Sequence, residues 1–213
     1  MFDSQVLAFT LAAAALTVAP GPDTMLVLKN VLRGGRRAGV ITTFGICSGL
    51  FVHASLSALG VSLLLTRSAT AFSLFKLIGA AYLAWLGAQT IRKSSRPAYA
   101  TDMRSAAITI PRAPTGRRHF VEGLLSNVLN PKTAAFYLAF LPQFIRPSDP
   151  VFERSLLFAG IHFVEATVWL VGLSVLVHSV QAVILAPSVR QWLDRTCGAL
   201  LIGFGVRLAF EQQ

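Results

Sequence analysis

Two long apolar stretches of this chain are each broken by proline. The first reads Ala19-Pro20-Gly21-Pro22-Asp23-Thr24 and the second Asn127-Val128-Leu129-Asn130-Pro131-Lys132-Thr133. Proline has no N–H, so the carbonyls four residues earlier lose their helical donors: Leu16 and Val18 in the first stretch, Asn127 in the second. An unpaired carbonyl is costly in hydrocarbon, and such breaks persist only where protein or a wet cavity surrounds them. Each break also carries a charge, Asp23 in one and Lys132 in the other. Interrupted helices at corresponding places in two halves point to a transporter binding site.

The breaks would mean less in a water-soluble chain, and the composition argues against one. Of the 213 residues, 54% are hydrophobic and 13% charged, with a mean hydropathy of +0.63. A soluble domain carries about 25% charged residues. The apolar residues fall in runs that hold about six spans of roughly 20 residues. The expected fold is therefore an all-α integral membrane protein of about six transmembrane helices, proline-broken in helices one and four. It forms one transmembrane domain over residues 1–213. The start, Met1-Phe2-Asp3-Ser4, lacks the basic flank of a secretory signal peptide. The net charge of +10 comes from basic residues clustered in loops. That pattern marks membrane orientation rather than nucleic-acid binding. Cys47 and Cys197 lie in apolar runs and read as small buried hydrophobes, with no metal or cofactor motif.

In chain order, span one is expected over about 6–32, span two over 40–65 and span three over 72–91. Span four is expected over 120–140, span five over 152–177 and span six over 189–210. Gly45-x-x-x-Gly49 in span two has the spacing that lets helix backbones approach closely. It serves helices of one chain or of two equally, which leaves a homo-oligomer open. The loops 29–39 and 92–119 are strongly basic, and the second, with Pro97, Pro111 and Pro114, reads as irregular. The positive-inside rule makes both cytoplasmic and puts both termini outside.

The two halves align in order. Gly21-Pro22-Asp23-Thr24 matches Asn130-Pro131-Lys132-Thr133. The segment Phe51-Val52-His53-Ala54-Ser55 matches Phe163-Val164-Glu165-Ala166-Thr167, and Lys76-Leu77-Ile78-Gly79-Ala80 matches Arg195-Thr196-Cys197-Gly198-Ala199. Three spans per half would make repeat two (119–213) an inverted copy of repeat one (1–92), with the basic loop 93–118 between them. The alignment sets Asp23 against Lys132 and His53 against Glu165. A charge near the bilayer midplane costs at least about 2.5 kcal/mol unless paired or wet, so these positions read as functional.

The same residues carry a family resemblance. Pro20-Gly21-Pro22 is followed by Arg33-Gly34-Gly35-Arg36-Arg37-Ala38-Gly39 and Phe44-Gly45-Ile46-Cys47-Ser48-Gly49. Then come Phe120-x-x-Gly123-Leu124, Asn130-Pro131-Lys132 and Phe140-Leu141-Pro142-Gln143-Phe144. The last element is Leu193-Asp194-Arg195 with the glycine-rich run 198–205. In this order they resemble the LysE/RhtB family of amino-acid exporters over nearly the whole length. The resemblance implies a bacterial inner-membrane exporter of amino acids or their derivatives, with the proton gradient as driving force.

A zwitterion needs a partner for each end. The helix start after Pro22 and Lys132 suit a carboxylate. The freed carbonyls of Leu16, Val18 and Asn127, with Asp23, suit an ammonium group. Thr24, Thr133, Asn127 and Asn130 complete the hydrogen bonding, and Pro20, Gly21, Pro22 and Pro131 shape the breaks. Proton exchange falls to Asp23, His53 or Glu165, since burial moves a carboxyl group toward neutrality and histidine starts near it. Competing readings remain at this stage. Asp23 and Lys132 also fit a mutual structural salt bridge, and His53 also fits a satisfied interior histidine. His162 is expected at a polar interface and is left unassigned, and Glu122 is expected at the start of span four as a helix N-terminal acid. Trp85, Trp169 and Trp192 are expected at interfaces or in packing. At the level of the whole protein the alternatives are efflux of another small solute or a metal cation, a non-transport scaffold, and an intramembrane enzyme. No His-x-x-x-His or Gly-x-Ser-x-Gly supports the last.

Overall fold

The computed structural model describes residues 4–67, 77, 78, 81, 84, 85, 87–89, 91, 92, 116–146, 148–184 and 186–210. Among these the secondary structure is helical, with no strand. Helix α1 (Ser4–Val18) is rich in alanine and leucine and free of glycine and proline. It stops at the first break because the residue before a proline is pushed out of the helical region. The chain restarts at Pro22, where a missing N–H costs nothing, and Met25 N donates to the Gly21 carbonyl at 3.1 Å.

Helix α2 (Pro22–Arg67) contains one non-helical residue, Gly35, at φ 76° and ψ −179°. The two limbs fold back on each other there. Asn30 Nδ2 donates to Thr42 Oγ1 at 2.9 Å although twelve residues separate them; a straight helix would hold them about 18 Å apart. The basic glycine-rich turn expected between spans one and two is thus a reversal at a single residue. Lys29 to Gly34 and Arg36 to Gly39 are helical rather than loop.

Helix α3 (Gly116–Val128) leads to the second break. Asn130 then caps the five-residue helix α4 (Pro131–Ala135), its Oδ1 accepting from Lys132 N at 3.0 Å. The chain continues as a π-helical turn, Phe136–Phe140, and a 3₁₀ turn, Leu141–Phe144. Helices α5 (Val151–Ile184) and α6 (Pro187–Phe210) complete the described structure.

Glycines set the closest approach. A Cβ on Gly45 would collide with the Phe120 carbonyl, and one on Gly123 with the Thr42 carbonyl. The Gly45-x-x-x-Gly49 face is therefore used within the chain, to seat α2 on α3. One turn further, a Cβ on Gly49 would stand 2.5 Å from Asn127 Oδ1, so this contact also delivers the end of α3 to the break region. At the other end, Phe9 of α1 is fully buried and meets the rings of Phe136, Phe144 and Phe158 at 5.6, 5.6 and 4.5 Å. Aromatic pairs of this kind add about 0.5–1.5 kcal/mol beyond their buried area. They fix α1 to the π-helical turn and to α5. The outward faces are apolar: Leu7, Leu11, Leu59, Val164 and Val168 are all exposed. Such faces suit lipid rather than water.

Two described helices are long and apolar enough to cross a membrane, Pro22–Gly60 and Val151–Leu176, and the first includes the reversal at Gly35. The expected span three falls largely outside the described residues, though 77, 78, 81, 84, 85, 87–89, 91 and 92 are helical. Lys76, most of the loop 93–118 with its three prolines, and the termini also lie outside them. Two expectations are corrected. The loop expected through His119 ends earlier, since α3 begins at Gly116 and His119 is buried within it. Glu122 is then in the second turn of α3, not at its start. It pairs with Arg118 at 3.4 Å and accepts from Asn30 Nδ2 at 3.3 Å.

Candidate functional site

The two breaks face each other. Asp23, in the first turn of α2, reaches across to the second break. Its Oδ1 accepts from Ser126 Oγ at 2.7 Å, and its Oδ2 from Asn127 Nδ2 at 2.9 Å and Asn130 Nδ2 at 3.0 Å. Lys132, in the first turn of α4, reaches the other way. Its Nζ donates to the carbonyls of Leu16 at 2.9 Å and Ala19 at 3.1 Å. Leu16 is the residue whose carbonyl loses its helical donor to Pro20. The brace is reciprocal: the charge that follows each break is held by the end of the helix that precedes the other. Thr24 and Thr133 follow the two charges and are both buried. Thr133 Oγ1 lies 3.5 Å from Asn127 Nδ2.

A cavity of about 50 Å³ opens between the breaks. Of the expected site residues, Gly21, Asp23, Thr24, Asn127, Asn130, Lys132 and Thr133 line it, together with the Leu16 and Ala19 segments. Pro20, Pro22 and Pro131 do not; they set the backbone course from outside the wall. Polar groups share the wall with Ile46, Leu50 and Leu170, the mixed lining usual for small-molecule sites.

His53 and Glu165 stand outside this wall. His53 is buried and its Nε2 lies 3.0 Å from the Asn127 carbonyl, the one freed by Pro131. It therefore touches the site through the backbone of the second break. Glu165 Oε2 is buried with no hydrogen-bond partner among the described residues. No hydrogen bond joins His53 to Glu165 there, although the repeat alignment sets them at equivalent positions.

His162, unassigned from the sequence, lies in the cavity wall. Its Nε2 lies 3.0 Å from Thr17 Oγ1 and its Nδ1 3.1 Å from Tyr137 Oη. The Tyr137 ring stacks on both histidines, with centroids 5.8 Å from His162 and 5.9 Å from His53. Ser57 Oγ fixes the Tyr137 backbone by donating to its carbonyl at 2.8 Å. Sequence reasoning also missed Ser126, Thr17 and Tyr137. The signal for Ser126 was adjacency to Asn127, and for Thr17 its place in the last turn before Pro20. The expected packing role of Cys47 agrees with its burial, where it accepts from Thr167 Oγ1 at 3.4 Å. The side chain of Cys197 lies outside the description.

No solved structure matches the chain. It is 32% identical over 204 residues to the uncharacterised membrane protein YrhP of Bacillus subtilis, covering 95% of this chain and 97% of that one. It is also 32% identical over 202 residues to the homoserine/homoserine lactone efflux protein of Salmonella typhimurium, covering 95% and 94%. With the threonine efflux protein of Escherichia coli K12 the identity is 28% over 195 residues, covering 92% of each chain. The family model described as LysE type translocator matches residues 14–212. That match takes in both breaks, the cavity between them and nearly all of the membrane-suited helices, and the chain belongs to the LysE type translocator family.

Proposed function

We propose that the protein is a secondary active exporter of amino acids or amino-acid derivatives across the bacterial inner membrane, running by proton antiport. The observation that carries this reading is the reciprocal brace, which sets a carboxylate, an ammonium and freed carbonyls around one cavity. A zwitterion is the small solute whose two ends match such a set. Relatives named for efflux of homoserine, its lactone and threonine make those compounds the first to test.

In this reading the carbonyls of the first break and Asp23 serve the substrate's ammonium. Lys132 and the N–H groups after Pro22 serve its carboxylate. Thr24, Thr133, Asn127 and Asn130 supply neutral hydrogen bonds. A proton and a substrate ammonium compete for one carboxylate at Asp23, which is the logic antiport requires. Glu165 and His53 are the further proposed proton-exchanging groups. The inverted relation of the halves rests on the sequence alignment, and the reciprocity of the brace is what such a relation would produce. The basic face is proposed to be cytoplasmic and both termini outside.

Export of a panel of amino acids from cells overexpressing the protein tests the function. Homoserine and threonine should appear outside faster than in control cells, and an uncoupler should abolish the difference. Unchanged efflux across the panel would falsify the substrate class; efflux that survives the uncoupler would remove the coupling. A reporter fused to Gln213 that works only in the cytoplasm would reverse the topology.

A further inference from the structure

Lys132 ends in the same chemical group as the amine of an amino acid, and that group is already seated at the first break. Its Nζ donates to Leu16 O and Ala19 O, both at the C-terminal end of α1, where the helix dipole favours a cation. The lysine stem lies over Gly21, where a Cβ would stand 3.8 Å from Nζ and 3.9 Å from Cδ. Asp23, across the cavity, already accepts from three side chains. The remaining space of about 50 Å³ admits a few water molecules. Small-molecule pockets begin near about 300 Å³, so the space left beside these side chains is too small for a substrate. What must leave to open it is the flexible chain of Lys132. Its helix has only five residues and runs into a π-helical turn, the kind of irregular helix found at functional sites.

We propose that Lys132 is a tethered occupant of an ammonium subsite made by the carbonyls of Leu16 and Ala19, and that the substrate's amino group displaces it. This rests on the amino-acid reading above. Without substrate, Lys132 keeps the carbonyls of the broken helix paired at membrane depth. With substrate, the incoming ammonium takes over those carbonyls, and the evicted Lys132 meets the substrate's carboxylate. An amine without a carboxylate gives Lys132 nowhere to go; a carboxylate without an amine does not evict it.

Two measurements on the purified full-length protein test this. The first is binding of methylammonium, followed by thermal stabilisation. Wild type should not respond at millimolar concentration, whereas Lys132→Met, with the subsite vacated, should bind at least 10-fold more tightly. Equal response in the two proteins, or none in a folded Lys132→Met, overturns the subsite; Lys132→Ala, which also brings no donor, gives the same reading if the first variant does not fold. The second measurement needs no variant. Acylation of Lys132 by acetic anhydride, read by mass spectrometry as a ratio to the chain's other lysines so that reagent consumed by the amino acid's own amine cancels, should rise severalfold when wild type is saturated with an amino acid that it exports. Unchanged labelling overturns the displacement. If wild type exports neither threonine nor homoserine, it is the amino-acid reading that fails, and the methylammonium comparison still decides whether the carbonyl pair is an ammonium subsite.

Discussion

The Leu16 carbonyl accepts a hydrogen bond from Lys132 Nζ at 2.9 Å across 116 positions of sequence. Pro20 creates that acceptor by withholding a donor, and a residue from the second break supplies one. Asp23 completes the exchange in the other direction. The second break closes partly on itself, Asn130 N donating to the Asn127 carbonyl at 2.9 Å, but the charge beside each break is held by the other, and loss of either charge strips donors or acceptors from both.

Asp23→Asn is the sharpest test of the brace. An amide cannot accept on both ends: with its Oδ1 kept on Asn127 and Asn130, its Nδ2 turns to Ser126 Oγ, which must then accept rather than donate, and all three hydrogen bonds lose their charged partner. Hydrogen bonds to a charged group contribute about 1.5–3 kcal/mol each. Losing the charge on these bonds should lower export roughly 10- to 100-fold while the protein still reaches the membrane. The measurement is efflux rate normalised to membrane-fraction protein; a rate within twofold of wild type would dissociate Asp23 from the site.

The parts of this arrangement that the sequence disclosed are those with a local cause. A proline removes its own donor wherever it stands, so the orphan carbonyls of Leu16 and Asn127 were legible. Gly45 and Gly49 announced a close helix contact by spacing alone. What filled the vacancies was not legible, because the partners are set by tertiary packing. The charge of Lys132 suggests a ligand for substrate carboxylate, whereas its seat on Leu16 and Ala19 depends on how α1 and α4 meet. Tyr137 escaped notice for a different reason: it lies in the π-helical turn, where a count at 3.6 residues per turn misplaces the side chain. The start of α3 is hidden in the sequence because Arg117 and Arg118 look like loop residues; both are exposed, which a helix end tolerates.

Gly49→Leu separates packing from chemistry. Its Cβ alone would press on the Asn127 side chain, at 2.5 Å from Oδ1 and 2.9 Å from Cβ. Overpacking of this kind costs about 1–3 kcal/mol. It should also push Asn127 away from Asp23, so export falls further than the loss of stability accounts for. Gly45→Leu meets the Phe120 backbone instead, two turns from Asn127, and should lower the melting temperature with a smaller excess. The comparison of melting in detergent with efflux per folded molecule distinguishes the two.

Thr17, His162 and Tyr137 should behave as one unit. Both nitrogens of His162 face hydroxyl groups, which can donate or accept, so either tautomer of the ring keeps both contacts. Removing either hydroxyl, by Thr17→Val or Tyr137→Phe, leaves a buried ring nitrogen short of a partner, at about 1–3 kcal/mol. In the His162→Gln background the same two substitutions should have much smaller effects. A double-mutant cycle on stability and on export checks this, with a coupling of about 0.5–3 kcal/mol expected for groups in one network. Strict additivity would mean that the contacts are incidental.

Gly35 offers a test free of side-chain contacts, since a Cβ there would meet nothing within 4 Å. Any effect of substitution comes from the backbone alone. At φ 76° and ψ −179° the residue lies outside the left-handed helical region, in territory open essentially to glycine. Gly35→Ala should therefore cost about 1–3 kcal/mol. Asparagine relieves strain in the left-handed helical region but not here, so Gly35→Asn should be no milder than alanine. At roughly 2–4 °C per kcal/mol for a chain of this size, both variants should melt several degrees below wild type. The reversal also aligns Asn30 with Thr42 and, through Glu122, ties both limbs of α2 to α3. A relaxed reversal should thus loosen the seat of α3, and with it the delivery of Asn127 to Asp23. Unchanged melting in both variants would show that the limbs fold back without help from this residue, and that their mutual packing alone sets the reversal.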